Sequence, residues 1–406
     1  MREPAARSLE HWARTRAKEP ALHEGEAFLT YRDWNEYADM LADTFTSRGL
    51  GLDDVIAIAC RNRIEWAVIA LAAAKTDARV LTLDPDLPAH ALRARIIASQ
   101  ASAVIVGDAD PAAIGSALAG IQLRLRATID IAAPGFIDFF DLFPPAAPAR
   151  FSRAQPAVVS WTPGETGRPR AVTLPRRPAA PASQARPATP EHGCSLLTVP
   201  LHRAWGPVQF WEALATGRAV AFMRSFEPKR ALRMIERLRI THWSAYPRVL
   251  RQIAALPSEA LHEHGLSSMR ELTVGGAQVE WQLKARLAAI FGPIVCEAYG
   301  ATETGIIALM PAERQTDRPG SCGRPLKGVM VEIRDGYGRP LPRNATGEIW
   351  ARTPRSLRCE QAGSSIRRDA NGFVATADLG RLDEDGYLYI TGRVRALGFD
   401  DISRAG

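Results

Sequence analysis

The sequence predicts an α/β fold: two βαβ-type, mostly parallel sheets packed with helices, and a small β-rich subdomain at the C-terminal end. Three observations predict it. Short apolar strands alternate with helical stretches at βαβ spacing in the first part of the chain. A second run of the same texture begins near residue 195. After about residue 320 the pattern changes to short alternating strands joined by Gly- and Pro-bearing turns.

Taken in order, residues 8–20 and 31–49 read as amphipathic helices. DVIAIAC (54–60) is a short buried strand, RIEWAVIALAAAKT (63–76) a helix, ARVLTLDP (78–85) a strand, PAHALRARIIASQ (88–100) a helix and ASAVIVGD (101–108) a strand. PAVVSW (156–161) is a further strand leading into a Gly/Thr-rich turn. LPRRPAAPASQARPATPEHG (174–193) is too rich in Pro to form a regular helix or an internal strand. The second run holds GCSLLTVP, a helix near 207–216, RAVAFM, a helix near 228–239, and THWSAYP. GVMVEIRD, TGEIWART and GYLYITGRV supply the late strands. The expected division is 1–175, an α/β subdomain ending in the Gly/Thr-rich loop; 176–193, a Pro/Ala/Arg-rich loop; 194–320, a second α/β subdomain; 321–393, the β-rich subdomain; and 394–406, a terminal segment.

A chain of 406 residues exceeds one compact core, so several subdomains are expected. Apolar residues make up 46% and charged residues 23%, the balance of an ordinary globular protein. No apolar run reaches the roughly 18–20 residues that span a bilayer. The N-terminus, MREPAARSLEHWARTRAKEP, has no hydrophobic signal core, which points to a cytoplasmic location. Cys60, Cys194, Cys296, Cys322 and Cys359 are scattered without CxxC spacing, against a metal site or a disulfide framework. The net charge of +7 suits an anionic ligand. The arginines are spread along the chain, not gathered in a stripe with aromatics, which argues against a nucleic-acid partner.

Three segments carry candidate chemistry. In SWTPGETGRPRAV (160–172), Thr162, Gly164, Thr166, Gly167 and Arg170 form an anion-binding pattern: glycines free backbone N–H groups, hydroxyls donate, and a base completes the site. Taken alone it also fits a tight loop without a ligand, and it is not the GxxxxGK[ST] pattern. In EAYGATETG (297–305), Tyr299 suits stacking on a flat ring, Thr302 suits a phosphate, and Glu303 offers a carboxylate to Mg²⁺; alone, the segment also reads as a polar turn after PIVCEAY. Upstream, LTVGGAQV (272–279) sets two glycines after a strand, where a backbone can approach a ligand closely. In TADLGRLDEDGYLYITGR (376–393), Asp378 is placed to clamp sugar hydroxyls with Arg393 beside it, while Asp383–Gly386 is a hairpin turn.

In this order and at these separations the segments resemble the adenylate-forming superfamily of acyl- and aryl-CoA synthetases, peptide-synthetase adenylation domains and luciferases. SWTPGETGRPRAV is similar to its TSGTTGxPKG signature, YGATE to its YGxTE, and TADLGRLDEDGYLYITGR to its TGDLGxxDxDGYxxxxGR. Weaker similarity runs through 29–45, 71–88 and VPLHRAWG (199–206). The resemblance implies ATP-dependent activation of a carboxylic acid as an acyl-adenylate, with Mg²⁺, and transfer to the thiol of CoA or of a carrier protein. It implies Tyr299 stacked on adenine, with Gly276, Ala277 and Gly300 beside it, and Thr302 on phosphate. It places Glu303 on Mg²⁺, Asp378 and Arg393 at the ribose, and Thr162, Gly164, Thr166, Gly167 and Arg170 around the β,γ-phosphates. Arg203 falls in the family's catalytic PLxHxxG segment, and the acid would lie near Trp205, Trp243, Tyr246 and Gly275. Those aromatic residues, and the lack of an acid in WGPVQFW, point to an aryl or medium-chain acyl substrate rather than an amino acid.

The sequence departs from the family at several points. Pro163 removes a donor N–H from the phosphate loop, Glu165 adds a negative charge, and Arg170 and Ala171 replace Lys and Gly. A like charge about 4 Å from a phosphate costs roughly 1 kcal/mol in water and several at an effective dielectric near 20. The loop therefore reads as degenerate. In PLHRAWG, Arg203 sits where the family has His, and His202 comes one residue earlier. The resemblance implies a mobile C-terminal domain that brings a catalytic lysine; within this sequence 394–406 reads as a hinge remnant and no lysine follows Lys327, so that domain is expected to be missing from it, by a cut at the hinge or by a naturally short chain. An alternative reading is a catalytically impaired member that binds an acyl or aryl ligand, or a carrier protein, without ATP turnover.

Overall fold

The computed structural model describes residues 5–143, 192–354, 356 and 367–394, together with the backbone of 158–162, 170–174 and 360–362. The α/β class is as expected. The described chain divides into two compact units, the first centred on residues 5–161 and 192–227 and the second on residues 228–394. The division differs from the one drawn from texture. The run that begins near 195 is shared between the units, and the late strands belong to the same unit as the parallel strands before them.

The first unit holds two sheets. In one, Val55–Ala59 lies between Arg79–Leu83 and Ala103–Gly107, all parallel; Leu125–Ile129 continues beyond Ala103–Gly107, and Val158–Thr162 pairs with Arg79–Leu83. These strands read as unbroken apolar runs because helices cover both faces of a parallel sheet. In the other, Ala219–Phe222 lies between Cys194–Leu197 and Pro20–Glu24, and Ala27–Thr30 returns antiparallel as a hairpin. The helix expected over 8–20 is Ala5–Thr15, and the strand Pro20–Glu24 takes the end of that segment. The next helix, Tyr31–Ser47, starts at a capping box: Thr30 accepts from the Asp33 N–H, and the Asp33 carboxylate accepts from the Thr30 N–H. Trp34, Trp66 and Phe210 fill the core, with the Phe210 ring edge-on to both indoles at 5.7 and 5.1 Å.

The second unit is built on one continuous sheet. His242–Ala245, Glu271–Gly275 and Val295–Ala301 are parallel. Gly305–Met310, Ser321–Pro325, Leu388–Arg393, Val374–Leu382, Gly347–Arg352 and Met330–Arg334 then follow in spatial order, each antiparallel to its neighbour. The β-rich segment is therefore hydrogen-bonded onto the parallel strands. Ile307, Ile333, Ile349 and Leu388 form the core on one of its faces. Among the described residues, no helix is long and apolar enough to cross a membrane.

Candidate active site

Three elements of the second unit converge on Tyr299. Glu271–Gly275 and Val295–Ala301 pair with Gly275 opposite Ala298, so Gly276 leaves the sheet at the register of Tyr299. Gly276 has φ +77°, a left-handed conformation open to glycine at no steric cost, and Ala277 beyond it is exposed. Val295–Ala301 folds back on Gly305–Met310 with Ala301 opposite Gly305, which leaves Thr302, Glu303 and Thr304 as the turn. The buried Thr304 hydroxyl lies 3.2 Å from the Ala301 nitrogen, and the Thr304 carbonyl accepts from Thr353 Oγ1 at 2.7 Å. A Cβ on Gly300 would stand 2.1 Å from the Gly305 carbonyl oxygen, so only glycine permits this close hairpin. Thr302 and Glu303 are half-buried, and among the described residues neither side chain is engaged in a hydrogen bond or ion pair.

The third element is the hairpin of Val374–Leu382 and Leu388–Arg393, closed by the Asp383–Gly386 turn with Gly386 at φ +82°. It sets Asp378 opposite Arg393. The Tyr299 hydroxyl donates to Asp378 Oδ2 at 2.9 Å and lies 3.2 Å from Thr376 Oγ1. Thr376 in turn donates to the Ile349 carbonyl at 2.9 Å and accepts from the Asp378 N–H at 3.2 Å. Arg393 Nε lies 3.6 Å from Asp378 Oδ1 with its side chain 74% exposed.

Burial pushes the Asp378 carboxyl above the usual range, and Glu348 adds to this; the Tyr299 hydrogen bond and the Arg393 charge pull it back. Burial, then the facing carboxylate, holds the Tyr299 phenol well above its ordinary value, so it remains a donor. At the base of the same strand Lys284 Nζ meets Glu297 Oε2 at 2.7 Å in a buried ion pair. Burial raises the Glu297 carboxyl and Lys284 opposes it.

This donor set fits a nucleoside monophosphate. Asp378 Oδ1 has lone pairs left for sugar hydroxyls, and the Gly276–Ala277 backbone is bare beside the tyrosine. Among the described residues no three metal-ligating side chains cluster. A single carboxylate, Glu303, fits Mg²⁺ shared with nucleotide phosphates, the usual arrangement for that ion.

In the first unit, Arg203 and Trp205 lie on the tight segment Pro200–Gly206. The Arg203 N–H donates to the Pro200 carbonyl and the Gly206 N–H to the Arg203 carbonyl, both at 2.9 Å. A Cβ on Gly206 would stand 2.4 Å from the Pro200 oxygen. Trp205 opens the helix Trp205–Thr216, and Arg203 is exposed. His202 Nε2 faces Asp84 Oδ2 at 3.4 Å. Burial, reinforced by the Arg203 charge, outweighs Asp84 and brings the imidazole down to about 4. The contact at neutral pH is therefore between a neutral ring and a carboxylate, not an ion pair.

Among the residues expected to hold the acid, Gly275 ends its strand beside the tyrosine corner. Tyr246 stands half-buried at the start of Pro247–Ala254, with the Arg248 guanidinium 5.7 Å from its ring centroid. Trp243 is different. It is 1% exposed and edge-on to Phe291 at 6.3 Å, so the structure makes it a core side chain rather than a pocket wall. An aromatic in an alternating strand looks the same in sequence on either face. Gly164, Thr166 and Gly167, with Pro163 and Glu165, lie outside the described residues; Thr162 ends Val158–Thr162 and Arg170 opens Arg170–Leu174. Sequence reasoning missed Thr376, Thr304 and Asp84. Only the hydroxyl two residues before Asp378 carried any signal.

A family model described as AMP-binding enzyme matches residues 9–359. A 4-coumarate–CoA ligase-like protein of Oryza sativa is 30% identical over 62% of this chain and 47% of its own. A protein of Salinispora arenicola named as a probable nonribosomal peptide synthetase, CymA, is 28% identical over 95% of this chain and 5% of its own. The chain thus spans less than half the length of either relative. The solved structure of the amide bond synthetase McbA from Marinactinospora thermotolerans superposes with a TM-score of 0.83 at 26% identity, covering 96% of this chain and 79% of that one.

Proposed function

Because the chain belongs to the AMP-binding enzyme family, we propose that it activates a carboxylic acid with ATP and hands the acyl group to a thiol. In the first step a carboxylate oxygen bonds to the α-phosphorus of ATP and pyrophosphate leaves. In the second the sulfur of CoA, or of a carrier protein's pantetheine arm, bonds to the acyl carbon, AMP leaves, and the thiol proton passes to solvent.

The observation that carries this reading is the Tyr299 hydroxyl on Asp378 at 2.9 Å, which fixes one flat ring and one carboxylate as a unit. Tyr299 stacks on adenine, with Gly276, Ala277 and Gly300 leaving room for it. Asp378 accepts from the ribose hydroxyls, and Arg393 lies against the same sugar. Thr302 donates to the α-phosphate, and Glu303 would hold Mg²⁺, which when bound neutralises charge on the phosphates. Arg203 works at the reacting carboxylate, a positive charge in place of the family's imidazole. Thr162, Gly164, Thr166, Gly167 and Arg170 serve the β,γ-phosphates.

An aryl or medium-chain acid is the substrate class. Trp205, Tyr246 and Gly275 would border it, and the rice relative carries the name of a 4-coumarate–CoA ligase-like protein. The carrier-protein acceptor rests on the peptide-synthetase relative, the CoA acceptor on the rice one.

The test is ATP–pyrophosphate exchange across a panel of aryl and medium-chain acids, with calorimetry for AMP. Exchange with any acid establishes adenylation. Binding of AMP without exchange would instead favour a member that holds its ligands without turnover, the reading that Glu165 motivates. In that case Glu165→Thr should strengthen ATP binding, by relief of charge repulsion. No nucleotide binding at all would overturn both.

A further inference from the structure

We propose that Asn62 is a positioning residue for the acid side of the reaction, acting through the backbone of the segment that carries Arg203 and Trp205. The inference rests on the role proposed above for that segment. Asn62 follows the strand Val55–Ala59 and is 4% exposed. Its side-chain amide nitrogen donates to the carbonyls of Leu197 and Val199, both at 3.1 Å, and its side-chain oxygen accepts from the Leu201 N–H at 2.9 Å.

In an extended segment the polar groups of alternate residues point to the same side. Residues 197, 199 and 201 therefore offer two acceptors and one donor along one edge, and the Asn62 amide behaves as one more peptide group of a neighbouring strand. The surroundings also fix which end of the amide is which: two carbonyls require the NH₂, and an N–H requires the oxygen.

This clamp ends one residue before His202. From there the chain is confined at each step. His202 packs against Asp84, which follows the neighbouring parallel strand Arg79–Leu83. The Arg203 N–H is spent on the Pro200 carbonyl, and Gly206 has no room for a side chain. Arg203 and Trp205 thus project from a backbone whose entry is set by Asn62. A group that must meet a reacting carboxylate needs this kind of support, because errors of about 1 Å in placement cost on the order of a hundredfold in rate. Aspartate sets a charged oxygen against two carbonyls, and serine is too short to reach them.

The test compares Asn62→Asp and Asn62→Ser with the unaltered full chain. Serine removes the clamp without adding charge, should the aspartate variant fail to fold. Hydrogen exchange is expected to speed up at least about tenfold over residues 199–206, as buried bonds are lost, and to stay unchanged in the helix Ile64–Lys75. Two ligands provide the second readout. AMP binding should hold within about twofold, whereas benzoyl-sulfamoyl adenosine, which adds the acyl end, should bind roughly tenfold more weakly, the size of one lost buried interaction. Equal loss of both ligands, or faster exchange throughout the chain, would reduce Asn62 to a stability residue and overturn the proposal. Unchanged exchange over 199–206 would overturn it as well. If the unaltered chain binds the benzoyl analogue no better than AMP, the acid-site reading falls, while the clamp still stands or falls on hydrogen exchange.

Discussion

On the proposed reading Asp378 has two tasks that pull against each other. It is buried enough to hold the Tyr299 hydroxyl and would have to be charged to accept two ribose hydroxyls. Burial has raised its pKa, and the Tyr299 bond is the larger of the two effects that draw it back. AMP affinity should therefore fall as pH drops through a value above the ordinary aspartate range near 3.9. Tyr299→Phe removes a lowering influence, so the carboxyl rises further and affinity is lost at a higher pH than in the unaltered chain. At neutral pH the same change should weaken AMP about tenfold or more, as expected for a lost hydrogen bond to a charged group. Calorimetric titration of both proteins from pH 4 to 8 checks this, and Asp378→Asn should flatten the profile.

His202 shows the opposite sign. Its folded value of about 4 lies below the ordinary 6.5, so the unfolded chain takes up the proton first. The stability linked to this ring is fully present above about pH 6.5 and is lost as pH falls toward 4. His202→Gln should flatten the pH dependence of thermal unfolding across that window, measured by calorimetry.

At the scale of elements, the turn that carries Thr302 and Glu303 is only as well placed as the strand beneath it. Lys284, from the helix Trp281–Phe291, fixes that strand through Glu297. Lys284→Met leaves a buried carboxylate without its cation and should cost about 3–5 kcal/mol in denaturant unfolding, whereas Lys284→Met with Glu297→Leu should recover most of it. A double variant as unstable as the single one would count against the pair as the cause.

The same region shows what could be read in advance. PIVCEAY followed by GATETG announced a strand and a turn, and DEDG announced the hairpin, because turn chemistry is local. The parallel strands of the first unit, such as Val55–Ala59 and Ala103–Gly107, were legible from apolar runs between helical stretches. The hairpin of Pro20–Glu24 and Ala27–Thr30 was not. Its strands are only 5 and 4 residues long and one opens on proline, so no local pattern marked them between the helices expected over 8–20 and 31–49. Glu297 read as part of a polar motif, because its partner Lys284 is visible only once a helix packs on the sheet. Trp243 failed for the same reason, since period alone does not say which face meets the core.

For the molecule as a whole, the two units use charge differently. In the first, the reversal of strand order lies between Val55–Ala59 and Ala103–Gly107, the point outside the carboxyl ends where open parallel sheets commonly bind ligands. Here that position is taken by the guanidinium of Arg63, 1% exposed, which meets Glu65 at 2.7 Å, Asp130 at 2.5 Å and Asp108 at 3.5 Å. Arg224 joins Glu24 and Asp108 alongside it. Asp108 and Asp130 each hold φ +60° at the end of a strand, a left-handed conformation that a non-glycine residue adopts at a cost. The network thus ties together the ends of strands from both sheets of that unit. The residues assigned to the nucleoside all lie in the other unit. Stability and nucleotide binding should therefore separate by position. Arg63→Met takes the cation from Glu65 and leaves Asp108 and Asp130 to Arg224, so it should lower stability by about 3 kcal/mol, the low end for a broken buried pair, while the folded fraction binds AMP within about twofold of the unaltered chain. Asp378→Asn should do the reverse, with AMP binding lost and the unfolding midpoint nearly unchanged, because the substitution replaces a carboxyl already disfavoured by burial. Thermal unfolding and AMP calorimetry on the two variants decide the matter. If Arg63→Met abolishes AMP binding in protein that is still folded, the charged network belongs to the nucleotide site and its assignment to the second unit alone is wrong.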